Sequence, residues 1–129
     1  MYNKKIIFGY ENPENTVSFY AGNGTDIDSI SISGFTPNTW HFICVIKNGS
    51  SLKLYVDNVE EDSTTDTTTS TTENSSPFTI GAYTANYFLT GAIDEVRIYN
   101  KALSSSERTS LYNDPDVVLN DGIVAHWQM

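Results

Sequence analysis

Apolar residues recur along this chain mainly at alternate positions, in short runs broken by Gly, Asn, Asp and Pro. Ser29–Ser33 is the cleanest run: Ile30 and Ile32 point to one side and Ser29, Ser31 and Ser33 to the other. That is the period-two signature of a strand with one buried face. Lys5–Phe8, closed by Gly9 and the turn Asn12-Pro13-Glu14-Asn15, reads as a strand, as does Thr16–Tyr20 before Gly22-Asn23-Gly24. Trp40–Lys47 departs from simple alternation. Trp40, Phe42, Cys44 and Ile46 fill one face and Ile43 and Val45 the other, which predicts a strand in the middle of a sandwich, covered on both sides. Asn48-Gly49 then signals a hairpin, because both residues tolerate positive φ. The return strand, Leu52–Val56, alternates up to the turn Asp57-Asn58, and Phe78–Ile80 and Ile93–Tyr99 are the last strong strands of the main body.

Three later stretches complete the pattern. Residues 62–76 are low-complexity and rich in Ser and Thr; they divide into an exposed polar edge strand and a long surface loop. Ser104-Ser105-Ser106-Glu107 is a capping box, in which Ser104 accepts from the amide three residues on and Glu107 reaches back. It predicts a short helix that turns Leu111 and Tyr112 to the body, with Leu103 stapled against its first turn. After Asp114-Pro115-Asp116, Val117–Leu119 and the turn Asn120-Asp121-Gly122 comes the apolar run Ile123-Val124-Ala125-His126-Trp127. A terminal run of this kind frays unless a sheet ties it down, so it is expected to pair with another strand. Together these elements predict an all-β sandwich with one short helix near the C-terminus.

Composition narrows the options. A chain of 129 residues suits one domain with its own core, and an aromatic content of 12% argues against disorder. No run of apolar residues is long enough for a spanning helix, and no basic–apolar–small signal pattern opens the chain, although a processed amino terminus would look the same. The formal net charge is −9, from 16 acidic against 7 basic residues. Such a surface repels phosphate backbones and anionic lipid, so neither nucleic acid nor membrane insertion is expected, while divalent cations, neutral glycans and other proteins remain compatible. A single cysteine, Cys44, excludes an internal disulfide and reads as a small buried hydrophobe.

Two blocks carry a resemblance. Residues 40–59, from Trp40-His41-Phe42 through Lys47-Asn48-Gly49 to Asp57-Asn58-Val59, resemble the central hairpin of laminin-G-like domains. Residues 80–112 resemble the carboxy-terminal signature of the same family, above all Gly91-Ala92-Ile93-Asp94-Glu95-Val96-Arg97-Ile98-Tyr99 and the following Asn100-Lys101-Ala102-Leu103-Ser104. Both are similar to the laminin-G-like, pentraxin-like branch of the concanavalin A-like lectin/glucanase superfamily. The resemblance implies a two-sheet antiparallel jelly roll and an extracellular or surface-exposed setting. Gly122–Trp127 resembles the family's first strand, which normally stands at the amino terminus, and several strands that usually precede the body do not precede it here. Residues 1–114 are therefore read as the body. Residues 115–129 are read as a strand segment that completes the sheet in cis or in a neighbouring subunit, or that opens a second repeat.

The candidate chemistry is sparse. Relatives that hydrolyse glycans project carboxylates from one strand face at two-residue spacing. Here Glu60, Glu61 and Asp62 are consecutive, Asp94 and Glu95 are adjacent, and His41 and His126 lie in separate strands, so no enzyme is expected. The resemblance brings calcium into view, and Asp26, Asp28 and Asp94 are the candidate ligands. The alternative makes Asp26 and Asp28 solvated loop residues and Asp94 a turn anchor. Tyr83, Tyr87 and Phe88 could form a platform for a sugar, or simply cap the sandwich. Asn23, Asn48 and Asn74 head glycosylation triplets in predicted turns. The leading expectation is a non-catalytic recognition or adhesion module, and the alternative is a structural subunit that forms filaments or oligomers by donating Ile123–Trp127.

Overall fold

The computed structural model of the chain describes residues 5–11, 15–22, 27–67, 79–84 and 87–128. Among these residues there are ten strands and one helix. In chain order they are β1 (Lys5–Glu11), β2 (Thr16–Gly22), β3 (Ile27–Ile32), β4 (Ile43–Asn48), β5 (Ser51–Val56), β6 (Val59–Thr65), β7 (Ala82–Thr84), β8 (Tyr87–Phe88), β9 (Val96–Tyr99), α1 (Ser105–Asn113) and β10 (Ile123–Trp127). Every pairing is antiparallel. β1-β2-β3 and β4-β5-β6 form two three-stranded meanders, and β7-β8 and β9-β10 form two-stranded pieces. The all-β expectation holds: the strands lie in antiparallel sheets with a single short helix.

Turn chemistry fixes the registers. Asp57 and Asn58, between β5 and β6, take φ of 50° and 67°. A tight hairpin turn of the I′ kind needs this at both central positions, and Asp and Asn are among the few non-glycine residues that accept it. In the β4–β5 hairpin Asn48 pairs with Ser51, so the central residues are Gly49 and Ser50, one step beyond the expected Asn48-Gly49, and Gly49 alone takes positive φ.

The core forms where the two meanders meet. Phe19 stands opposite Ile30 and Val17 opposite Ile32, while Val45 faces Leu54 and Ile43 faces Val56. Ile30, Leu52 and Leu54 form the buried cluster, with Phe19, Ile32, Ile43 and Val45 packed against it. Fully burying each such side chain is worth about 1.5–3 kcal/mol. The serines of β3 face outward, as the alternation predicts.

Polar side chains secure the contact of β3 with β6. The Ser31 amide donates to Asp62 Oδ2 (2.8 Å), and the Thr67 amide and hydroxyl both donate to Asp28 Oδ2 (2.6 and 2.9 Å). Asp62 reaches this seam because β6 is bulged. Leu54 pairs with Asp62 and Tyr55 with Glu60, so Glu61 is the extra residue. Period two alone would put Glu60 and Asp62 on one face. The bulge sends Glu60 outward, to Lys53 and Tyr55, and Asp62 inward.

α1 packs on the opposite face of β5. The Arg108 guanidinium lies 3.7 Å from the centre of the Tyr55 ring, and its Nε donates to Asn58 Oδ1 (2.7 Å). Asn58 Nδ2 in turn donates to Thr109 Oγ1 (3.0 Å), and the Tyr112 ring meets that of Phe42 tilted at 59°, with centroids 5.8 Å apart. Leu111 is buried, as expected, whereas Tyr112 stays partly exposed. Burial pushes the Cys44 thiol up to about 11, against a smaller opposing pull from Arg108, which makes it an inert filler.

Three expected strands differ in extent. The run Trp40–Lys47 becomes strand only at Ile43, and Trp40 is 69% exposed instead of buried. The cause is Asp57, whose Oδ1 accepts from the Phe42 amide (3.0 Å) while its own amide donates to the Phe42 carbonyl (2.8 Å). His41 is clamped as well, with Nδ1 2.7 Å from Asp57 Oδ2 and Nε2 2.9 Å from the Thr36 carbonyl. The Asp57 side chain thus takes the place of the ladder acceptor for the Phe42 amide. Ile93–Tyr99 is strand only from Val96, because Glu95 takes φ +54° and breaks the extended chain. Of Phe78–Ile80, Phe78 lies outside the described residues and Thr79 and Ile80 are not in a strand.

Leu54→Ala is expected to lower the unfolding free energy by about 2–5 kcal/mol. Trp40→Ala should change it by no more than about 0.5 kcal/mol. Urea denaturation of the two variants checks both values.

Candidate functional site

The terminal apolar run does pair, and its partner is β9 of the same chain. Ile123 stands opposite Tyr99, Ala125 opposite Ile98, His126 opposite Arg97 and Trp127 opposite Val96. A bulge between Ile123 and Ala125 leaves Val124 63% exposed. No side chain of β10 is fully buried, so apolar burial alone holds the strand weakly. Polar contacts at both ends supply the rest.

At the Trp127 end, three charged or polar side chains converge. His126 Nε2 lies 2.6 Å from Glu95 Oε2, a separation that requires the proton on this nitrogen, donated to the carboxylate. Arg97 pairs with the same Glu95 oxygen, reaches the Pro115 carbonyl, and sets its Nε 3.2 Å from His126 Nε2. The Arg97 side chain is only 7% exposed. Desolvation would raise the Glu95 pKa, but hydrogen bonds from His126 and Gln128 and the charges of Arg97 and His126 bring it below the usual carboxylate value. The positive φ of Glu95 is the backbone cost of aiming this carboxylate, which stands just before β9, at the tail.

At the Ile123 end, the Asn100 amide donates to the Gly122 carbonyl (2.9 Å), and Lys101 bridges Asp121 and Glu107. Gly122 has φ +77°, and a Cβ there would stand 2.9 Å from Lys101 Cγ. Glu107 also closes the capping box, accepting from the Ser104 amide (2.8 Å) and hydroxyl (2.7 Å). Lys101 first, then Ser104, pulls the Glu107 carboxyl down to about 2. Helix start, sheet corner and tail thus share one lysine.

A second feature is the β7–β8 hairpin. The Leu89 amide donates to the Gly81 carbonyl (2.8 Å) and Thr79 Oγ1 to the Ala82 carbonyl (2.8 Å). On this frame Phe88 is 70% exposed. The side chains of Tyr83 and Tyr87 lie outside the described residues.

A family model described as the concanavalin A-like lectin/glucanases superfamily matches residues 2–107, which is most of the body. The chain belongs to this superfamily. Its match stops inside α1, so β10 lies beyond it. The crystal structure of an S-layer domain-containing protein (residues 221–444) from Clostridium thermocellum is similar, with a TM-score of 0.50 and 22% identity over 76% of this chain. The chain spans about half of that structure, 52% of its length. Comparison with curated proteins gives no match.

In this superfamily member two of the three calcium candidates lie among the described residues. Asp28 is spent on Thr67, Asp94 Oδ1 accepts from the Glu95 amide (2.8 Å), and Asp26 lies outside the described residues. Among the described residues no group of three or more His, Cys, Asp or Glu could hold a metal ion. Asn48 is exposed at the end of β4, while Asn23 and Asn74 lie outside the described residues. Glu95 and Arg97 are the residues that sequence reasoning missed. In the sequence Arg97 stands out only within the family signature and Glu95 only as a carboxylate adjacent to Asp94, because their partner His126 is far along the chain.

Gly122→Ala should loosen β10 by steric conflict with Lys101 and by a strained φ, at a cost of about 1 kcal/mol or more. A lowered melting temperature with faster proteolysis after Asp114 is the expected readout. The Glu107 cap contributes fully above the ordinary carboxylate pKa and is lost as pH falls through about 2. NMR titration of the Glu107 carboxyl checks this, and Ser104→Ala should cost about 1 kcal/mol.

Proposed function

We propose that the chain is a non-catalytic recognition and adhesion module of the cell exterior, with the β7–β8 hairpin presenting Phe88 to a glycan. The observation that carries this reading is the 70% exposure of Phe88 on a hairpin whose backbone is pinned at both flanks. A large aromatic held out of the core on a fixed frame offers an apolar plane beside polar backbone, the combination sugar rings stack on. The non-catalytic part is supported by the occupation of three of the chain's carboxylates. Glu60 is held by Lys53 and Tyr55, Asp62 by Ser31, and Glu95 by Arg97 and His126, each in a structural bond. The exterior setting follows superfamily habit and is in keeping with the similarity to an S-layer domain-containing protein. No helix of the described residues is long and apolar enough to cross a membrane.

A glycan array probed with the whole chain tests this. Binding that Phe88→Ala abolishes, with the urea midpoint unchanged, supports the reading; binding indifferent to Phe88, or none at all, removes it. Adding calcium or a chelator to the same array separates a metal-dependent contact from a metal-free one.

One observation favours the assembly alternative. β10 puts no fully buried side chain into the body, so the contacts it makes with β9 could form with β9 of a second copy at little loss. Light scattering of the whole chain against a version ending at Asp114 decides it. Oligomers or fibres that need residues 115–129 are the expected result for a strand-donating subunit, and a monomer at all concentrations excludes it.

A further inference from the structure

We propose that Glu95, Arg97 and His126 form an acid-sensitive clasp that seats β10 on β9 at neutral pH and releases the strand in acid. The clasp concerns the seat of β10 within its own chain and depends on neither functional reading above.

The geometry makes Glu95 the keystone. Its Oε2 accepts from His126, in β10, and pairs with Arg97, in β9, so one oxygen joins the two strands. The rung beneath it is the direct His126–Arg97 pair, with Arg97 Nε 3.2 Å from His126 Nε2. Arg97 is nearly sealed from water, and losing its anion would leave its buried charge without a counter-charge, held by the neutral Pro115 carbonyl and the His126 ring. β10 has no buried apolar anchor to resist this.

The groups facing the clasp come from each segment packed on it. Arg97 belongs to β9 and His126 to β10. Gln128 follows β10, Asp94 precedes the carboxylate, and the Pro115 carbonyl comes from the connection after α1. Lys101, Glu107 and Asp121 stand at the opposite end of the strand pair. The sign is that of a depressed carboxyl. Its stabilising contribution is complete above 4.5 and is lost as pH falls through the lowered folded value. Glu107 at the other end persists as an anion to about 2. Acid therefore opens the Trp127 end first, while the backbone bond from the Asn100 amide to the Gly122 carbonyl, which has no titrating group, still holds the other end.

Hydrogen exchange of the whole chain, corrected for the intrinsic pH dependence of amide exchange, tests the clasp. Protection at Ala125–Trp127 should fall by about tenfold or more between pH 7 and pH 3, while β5 stays protected. Glu95→Gln should show the low protection already at pH 7 and a flat profile. Asp121→Asn, which touches only the opposite end, should keep the wild-type profile. Protection of β10 that falls only together with that of β5, or a Glu95→Gln profile like the wild type, overturns the proposal. Light scattering on the same samples reads assembly separately: opening without oligomers leaves the clasp standing and removes strand donation.

Discussion

Ile30, Leu52 and Leu54 lie at the meeting of two meanders that have little else to hide behind, and the remaining elements are placed by that contact. Each meander is a set of short hairpins, and three strands with one apolar face are stable only when the face is covered. Covering it brings β3 against β5 and β6, where Asp28 and Asp62 convert a gap between sheets into a hydrogen-bonded seam. The other face of β5 is then free for α1, and Arg108, Asn58 and Thr109 set the helix at the β5–β6 turn. The corner before α1 in turn carries Lys101, and so the start of β10.

What was legible in the sequence was local. Ile30 and Ile32 alternate with serines because one face of β3 is wet, and the capping box and Asp57-Asn58 act within four residues of chain. What was illegible depends on residues brought from afar. The exposure of Trp40 follows from Asp57 capturing Phe42, and a hydrophobicity pattern carries no trace of a carboxylate competing for backbone amides. The bulge at Glu61 is set by pairing with β5, so counting by twos along β6 put Glu60 and Asp62 on the same side. Glu95 and His126 are 31 residues apart, and only the folded sheet shows that they meet.

The family signature told more about where the chain folds than about what it binds. Ile93–Tyr99 lies in the block that resembles the superfamily's carboxy-terminal signature, yet its most conspicuous polar residues, Glu95 and Arg97, face the tail rather than solvent. Similarly, Asp28 drew notice as a cation ligand and is occupied by Thr67. Fold-level likeness and site-level chemistry are separate matters, and here the carboxylates mainly hold elements together.

The antiparallel register of β10 has a mechanical consequence. Trp127 lies opposite Val96, so residue 128 and the start of β9 emerge at the same end of the pair. Tension applied to the chain beyond residue 128, away from the body, loads the rungs one at a time instead of in shear. The first to bear the load are those beside Glu95, Arg97 and His126. A module anchored through that end would yield there at low force, letting out the tail while the packed meanders remain folded.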